Sequence, residues 1–327
     1  MTKAARYLAP VAALALAATA ACAPSTDDDE SGNGDSLTLA TGSQGGTYYP
    51  LGNAIAGVWS SELDVSVNGQ ATDASAANLR MLDGGTADIV MAVNGTAVQA
   101  DEGTEAFEGD GALENEFASL GNVYAEVLQI VATVDSGIES IEDLDGRDVA
   151  IGPAGSATAI MADNITESYG IELGTSHEDD FGVAADRLRD GEIDASFALL
   201  SLPAASLEDV AQGVDVDIVD FPDDGLEELM DNDPSLTLRD IPSDTYSGMT
   251  DDVTTVTNWA TMYVSTDMDE DLAYDLTRVM YDNAEDVEHA VADELQLDTA
   301  LDGLGGVNLH PGAERYFEEQ GVEIPEE

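Results

Sequence analysis

Two glycine-rich stretches are where the residue types and spacing of this chain could act on a small molecule: Gly42-Ser43-Gln44-Gly45-Gly46-Thr47 and Gly152-Pro153-Ala154-Gly155-Ser156. Each follows a short apolar run and precedes a segment of helical periodicity, so each reads as the exit of a strand into a helix N-terminus. Unpaired main-chain N–H groups and the helix dipole make such an exit attractive to an anion, and nearby hydroxyls add donors. That chemistry is capture rather than turnover. The glycines also suit simple tight turns, neither stretch has the spaced G-x-G-x-x-G of a dinucleotide site, and Ser156 also suits a helix N-cap.

Nothing else assembles a catalytic group. Cys22 is the only cysteine, so no intramolecular disulfide can form and a thiolate nucleophile would have to be residue 22 itself. His177, His289 and His310 lack metal-ligand spacing, and no G-x-S-x-G elbow is present. No lysine follows Lys3, which removes a Walker phosphate loop, a Schiff base and a lysine general base. We expect no enzyme, no catalytic residue, no metal and no cofactor.

The elements that must position the glycine stretches occur twice in the same order. Leu37 to Ala40 reads as a strand, followed by the first glycine stretch and a helix through Leu51, Ile55 and Val58. A second helix carries Ala76, Leu79 and Leu82, and after Asp83-Gly84-Gly85 comes Asp88 and a buried strand, Ile89 to Val93. Later, Val149 to Ile151 is a strand, the second glycine stretch is its exit, and a helix runs from Ala157 to Tyr169, closed by Gly170. A helix with Val183 and Leu188 then ends at Asp190-Gly191, and Asp194 opens the strand Ala195 to Leu199. The doubling predicts two α/β lobes with their glycine stretches facing each other across a cleft. His310-Pro311 suits the start of a last helix, Gly312 to Gln320.

Charge narrows the partners. Sixty-eight acids stand against nine Lys and Arg, a formal charge of −59, which excludes a nucleic-acid-binding role. The surplus reads as a solvated surface suited to high salt; calcium loops of the D-x-[DN]-x-[DN]-G type are not found. Residues 1–21 have a basic start, an apolar stretch from Leu8 and small residues before Cys22, the layout of an export signal. Ala18-Thr19-Ala20-Ala21-Cys22 resembles a bacterial lipoprotein box with Cys22 as the lipid attachment, and cleavage at an Ala-x-Ala site is the other reading. Residues 22–35 read as an acidic linker. Arg80, Arg147, Arg187 and Arg189 are expected in surface ion pairs.

TGSQGGTYYPLG (41–52), NGQATDASAANLRML (68–82), DSGIESIEDLDGRDVAIGPAGSAT (135–158), LRDGEIDASFAL (188–199) and LHPGAERYF (309–317) together resemble the TAXI family, the solute receptors of TRAP transporters. The resemblance implies a type II periplasmic-binding-protein fold, α/β, with residues 36–130 and 260–327 in one lobe and 131–259 in the other. The implied crossing segments lie near Leu128 to Val134 and Thr257 to Val264. It also implies a monomer that closes on a small carboxylate, such as glutamate, glutamine or a 2-oxoglutarate-like acid, and hands it to ion-gradient-driven membrane permease subunits. A sensory binding protein that presents the same ligand to a membrane signalling partner would share the fold. The implied ligand residues are Thr47, Tyr48, Tyr49, Thr72, Ser75, Asn94, Gly155, Ser156, Ala157 and Thr158. Asp73 and Ala74 stand where the family commonly has glycines, and Asn94 where it often has glutamine.

Overall fold

A computed structural model describes residues 35–113, 117–221, 223–304 and 306–325; the expected signal segment, Cys22 and most of the acidic linker lie outside them. In the first half, β1 (Asp35–Ala40) leads into α1 (Tyr48–Glu62), β2 (Val65–Gln70), α2 (Ser75–Asp83), β3 (Ile89–Val93) and α3 (Asn94–Glu102). β1 lies between β2 and β3, parallel to both. A long strand, β4 (Phe117–Thr133), then carries the chain into the second half. There β5 (Asp148–Ala150), α4 (Ala157–Tyr169), β6 (Thr175–His177), α5 (Phe181–Arg189) and β7 (Ala195–Leu200) follow, and β5 again lies between its two parallel neighbours. The strand order 2-1-3 is thus written twice, matching the repeat read from the sequence.

The paired Asp residues of that repeat have the same task in each half. Asp88 accepts the Thr38 N–H at 2.7 Å and returns its own N–H to the Thr38 carbonyl at 3.0 Å. Asp194 does the same with Asp148, at 2.9 and 2.7 Å. Each carboxylate satisfies a main-chain donor one residue before the ladder between its own strand and the donor's begins.

The second half continues through α6 (Ala205–Ala211), β8 (Val216–Ile218), α7 (Asp223–Asn232) and β9 (Thr237–Ile241). β10 (Val253–Ser265) then leads back to the first half, which α8 (Glu270–Asp282) and α9 (Pro311–Gln320) complete. All ten strands form one sheet with a main path of β2-β1-β3-β10-β4-β7-β5-β6. β4 and β10 run antiparallel at its centre and belong to both halves. β10 pairs with β9 as far as Thr257 and with β3 from Ala260; β4 pairs with β10 as far as Val127 and with β7 from Val127 onward. The strands extend well beyond the apolar runs expected as crossings, and Val134 lies outside β4, half exposed.

Helix ends follow local chemistry. Ser156 accepts the Ala159 N–H at the start of α4, and Gly170, at φ 65°, closes it. The His310 ring accepts the Gly312 N–H through Nδ1 at 3.2 Å, and Pro311 occupies the first turn of α9. In α5 the buried face is Phe181, Ala184, Ala185 and Leu188. Val183 is 49% exposed, because the 3.6-residue period puts it on the opposite side. The first half's core packs Leu39, Ile55, Trp59 and Met91 against Met262, Leu276 and Phe317, and the Trp59 indole donates to the Leu276 carbonyl at 2.8 Å.

Candidate ligand-binding site

Four helix N-termini meet at one pocket between the halves. Thr47 and Tyr48 come from the start of α1, Ala74 and Ser75 from α2, Ser156 to Thr158 from α4, and Phe181 from α5. Gly42, Ser43 and Gly46 line the same space from the first glycine stretch, and Leu199 and Leu200 from the end of β7. Each N-terminus turns the positive end of its helix toward the pocket, which favours an anion, although the Asp180 carboxylate caps α5 by accepting the Gly182 N–H at 2.8 Å, and the Ala159 N–H of α4 is taken by Ser156.

The structure brings Thr47, Tyr48, Ser75, Ser156, Ala157 and Thr158 together there. It does not bring Tyr49, Thr72, Asn94 or Gly155 to the lining. Thr72 ties down the turn before α2, donating to Asn78 Oδ1 at 2.6 Å and accepting from the Ala74 N–H. Asn94 is fully buried in a separate polar network with Thr261 and Tyr263, whose hydroxyls lie 2.6 Å from its Oδ1. It fastens β3 to β10. Gly155, at φ 78°, offers its carbonyl to the Ala76 N–H at 3.0 Å, joining the loop before α4 to the start of α2. Tyr49 is only partly buried, one residue past the face that points inward. Asp73 is exposed and does not line the pocket.

Contacts across the pocket hold the halves closed. Beside the Ala76–Gly155 bond, the Thr47 hydroxyl lies 3.0 Å from the Ser201 hydroxyl and accepts the Ser201 N–H at 3.2 Å. A Cβ on Gly45 would fall 2.3 Å from the Gly182 nitrogen, so only glycine allows these two loops to meet. In this state the pocket keeps a cavity of about 20 Å³, room for about one water. A larger solute therefore requires the halves to part and close again around it. A wider groove of about 840 Å³ lies beside it between α3, α4 and residues 233–236, and shares Ala157 with it.

Glu126 at the pocket is the residue the motifs missed. It is 5% exposed, and it is the one acid among the described buried residues. Burial pushes its carboxyl up to about 8, while the neighbouring phenols of Tyr124 and Tyr48 oppose that rise. The Tyr124 hydroxyl donates to Oε1 at 2.5 Å. The Tyr48 hydroxyl, also buried, has no hydrogen-bond partner. A signal for Glu126 was present: it is the only charged residue in the 17-residue run of β4.

No cation answers that carboxyl. The arginines of the described chain lie in ion pairs elsewhere: Arg80 with Asp110, Arg147 with Asp194, Arg187 with Asp179 and Arg189 with Asp186. Arg239, Arg278 and Arg315 pair with Glu294, Asp275 and Glu270.

The architecture is shared with solved structures at low sequence identity. MatC from Rhodopseudomonas palustris with bound malate is 12% identical, with 88% of this chain and 95% of that chain covered at a TM-score of 0.55. PhnD1 from Prochlorococcus marinus (MIT 9301) in complex with methylphosphonate is 12% identical, with 89% and 97% covered at 0.51. A putative L-cystine ABC transporter from Listeria monocytogenes is 18% identical, with 81% and 96% covered at 0.47. The fold is the two-lobed α/β fold of type II periplasmic binding proteins. With residues 39–321 matching it, a span that holds both glycine loops, Glu126 and the two shared strands, the chain belongs to the NMT1-like family of periplasmic-type solute-binding proteins.

Proposed function

We propose that this chain is an exported solute receptor that closes on a small carboxylate and delivers it to the membrane subunits of a TRAP-type transporter of the TAXI class. The observation that carries the ligand reading is the convergence of four helix N-termini, two from each half, on one pocket. A carboxylate there would accept main-chain N–H groups at the start of α4 and the hydroxyls of Ser156 and Thr158. Charge-assisted bonds of this kind are each worth roughly 1.5–3 kcal/mol. Closure would expel water and strengthen them. MatC, which carries malate, and PhnD1, which carries methylphosphonate, show that the shared architecture holds small anions in those proteins. The export signal and Cys22 support tethering by lipid on the outer face of the membrane, and the TAXI motifs support the transporter class.

A thermal-shift screen of small carboxylates at high salt tests this reading. A true ligand at about 100 times its Kd adds about 2.7 kcal/mol of stability. Failure of every carboxylate and amino acid to raise the melting temperature would sink it.

A further inference from the structure

A buried carboxyl in a pocket built for anions calls for a reason. Among the described residues Glu126 is the one buried acid, and it lines the pocket with no arginine, lysine or histidine beside it in the lining. For a ligand bearing only negative charge, this group is a liability: ionised it repels, and neutral it supplies a single donor where an alanine would leave room.

The groups facing it favour an ionised state in the complex. Tyr124, on the same strand, donates to Oε1, and Tyr48, from α1, brings a second phenol with a free, buried hydroxyl into the same pocket. From α2 comes the Ser75 hydroxyl, and from the second half Ser156, Thr158 and Phe181, none of them charged. On β10, Asn258 lies opposite in register, and Thr257 donates only to the Glu126 main-chain carbonyl. The two tyrosine rings stand edge to face, with centroids 6.3 Å apart. Two phenols and one carboxylate without a protein cation are the surroundings an ammonium group requires.

We propose that Glu126 is the counter-ion for an amine on the ligand, so that the solute is a zwitterion of the α-amino-acid class, its carboxylate at the helix N-termini and its ammonium at Glu126. This rests on the carboxylate reading above and narrows it. In the free protein at neutral pH the carboxyl holds its proton; binding the ammonium ionises it, and that proton leaves to solvent. Apparent affinity therefore rises with pH up to about 8, where the free carboxyl itself ionises.

Calorimetry on the full exported chain at high salt, with matched amino and keto acids, tests the assignment: L-glutamate with 2-oxoglutarate, L-alanine with pyruvate, and L-leucine with 4-methyl-2-oxopentanoate. We expect one amino acid to bind at least tenfold more tightly than its keto partner. Its binding should release about one proton at pH 6.5, read from buffers of different ionisation enthalpy, and the release should fade above pH 8. Glu126→Gln should bring the pair within about threefold and abolish the release. A keto acid that binds as tightly as its amino partner, proton uptake instead of release, or a preference that survives in Glu126→Gln overturns the assignment while leaving the carboxylate reading in place. Silence from every compound overturns both.

Discussion

Glu126 alters stability as well as the pocket. Folding raises its carboxyl from an ordinary value near 4.5 to about 8, so between those values the folded chain holds a proton that the unfolded chain has released. Stability contributed at this site therefore falls as pH climbs from about 4.5 to 8 and is level above, by at most about 1.4 kcal/mol per pH unit. Glu126→Gln keeps an acceptor for Tyr124 without that penalty, so its melting temperature should exceed the parent's at pH 8, and the gap should close near pH 5. A gap independent of pH would assign the effect to packing. Ala74 stores strain at the same pocket: at φ 66° and ψ −148° it holds a backbone conformation that suits glycine. Ala74→Gly should stabilise the fold by about 1 kcal/mol in denaturant titration, despite glycine's greater freedom when unfolded. Among single residues, the Ser156 cap and the Gly170 helix stop were legible in the sequence, because one side chain or one φ angle decides them. Phe181 and Leu200 were not marked by any local signal and reach the pocket only through tertiary packing, while Glu126 was marked only by being the lone charge in the run of β4.

Among the elements, the repeated strand, glycine stretch and helix, together with Asp88 and Asp194, exposed the doubling before any coordinates, whereas β2 and β6, and with them the 2-1-3 order, were not read. Both signals are local: a periodicity, and an acid placed just before a buried strand. The reach of β4 and β10 was not legible. Both faces of these strands are buried along most of their length, so no alternation marks where one half hands over to the other. Thr72 and Asn94, which motif position assigns to the ligand, hold a turn and a strand end in place in this state, and short polar side chains serve either purpose. Closure itself depends on the approach of the first glycine stretch to the start of α5. Gly45→Ala would set a methyl against the Gly182 main chain. We expect the variant to melt within about 1 °C of the parent but to bind its ligand at least tenfold more weakly, mainly through faster release. Unchanged affinity would mean that the two loops need not touch in the bound state.

At the scale of the whole molecule, the chain carries 68 acids around a pocket for which we propose a carboxylate ligand, and each arginine of the described chain is already paired. Unscreened, this field both strains the compact state and repels an approaching carboxylate. Raising NaCl from about 0.15 M to about 1 M shortens the Debye length from about 8 Å to about 3 Å. Over that range the melting temperature should rise and affinity should hold or improve; weaker binding at 1 M by a demonstrably folded sample would contradict this. The two strands common to both halves bear on how the chain comes to be folded at all. The core built on β1 and β3 includes Met262, Leu276 and Phe317, supplied by the far end of the polypeptide. As the chain is synthesised amino end first, its opening third cannot complete its interior until the last residues arrive, so a product truncated before residue 253 would have no native state to enter.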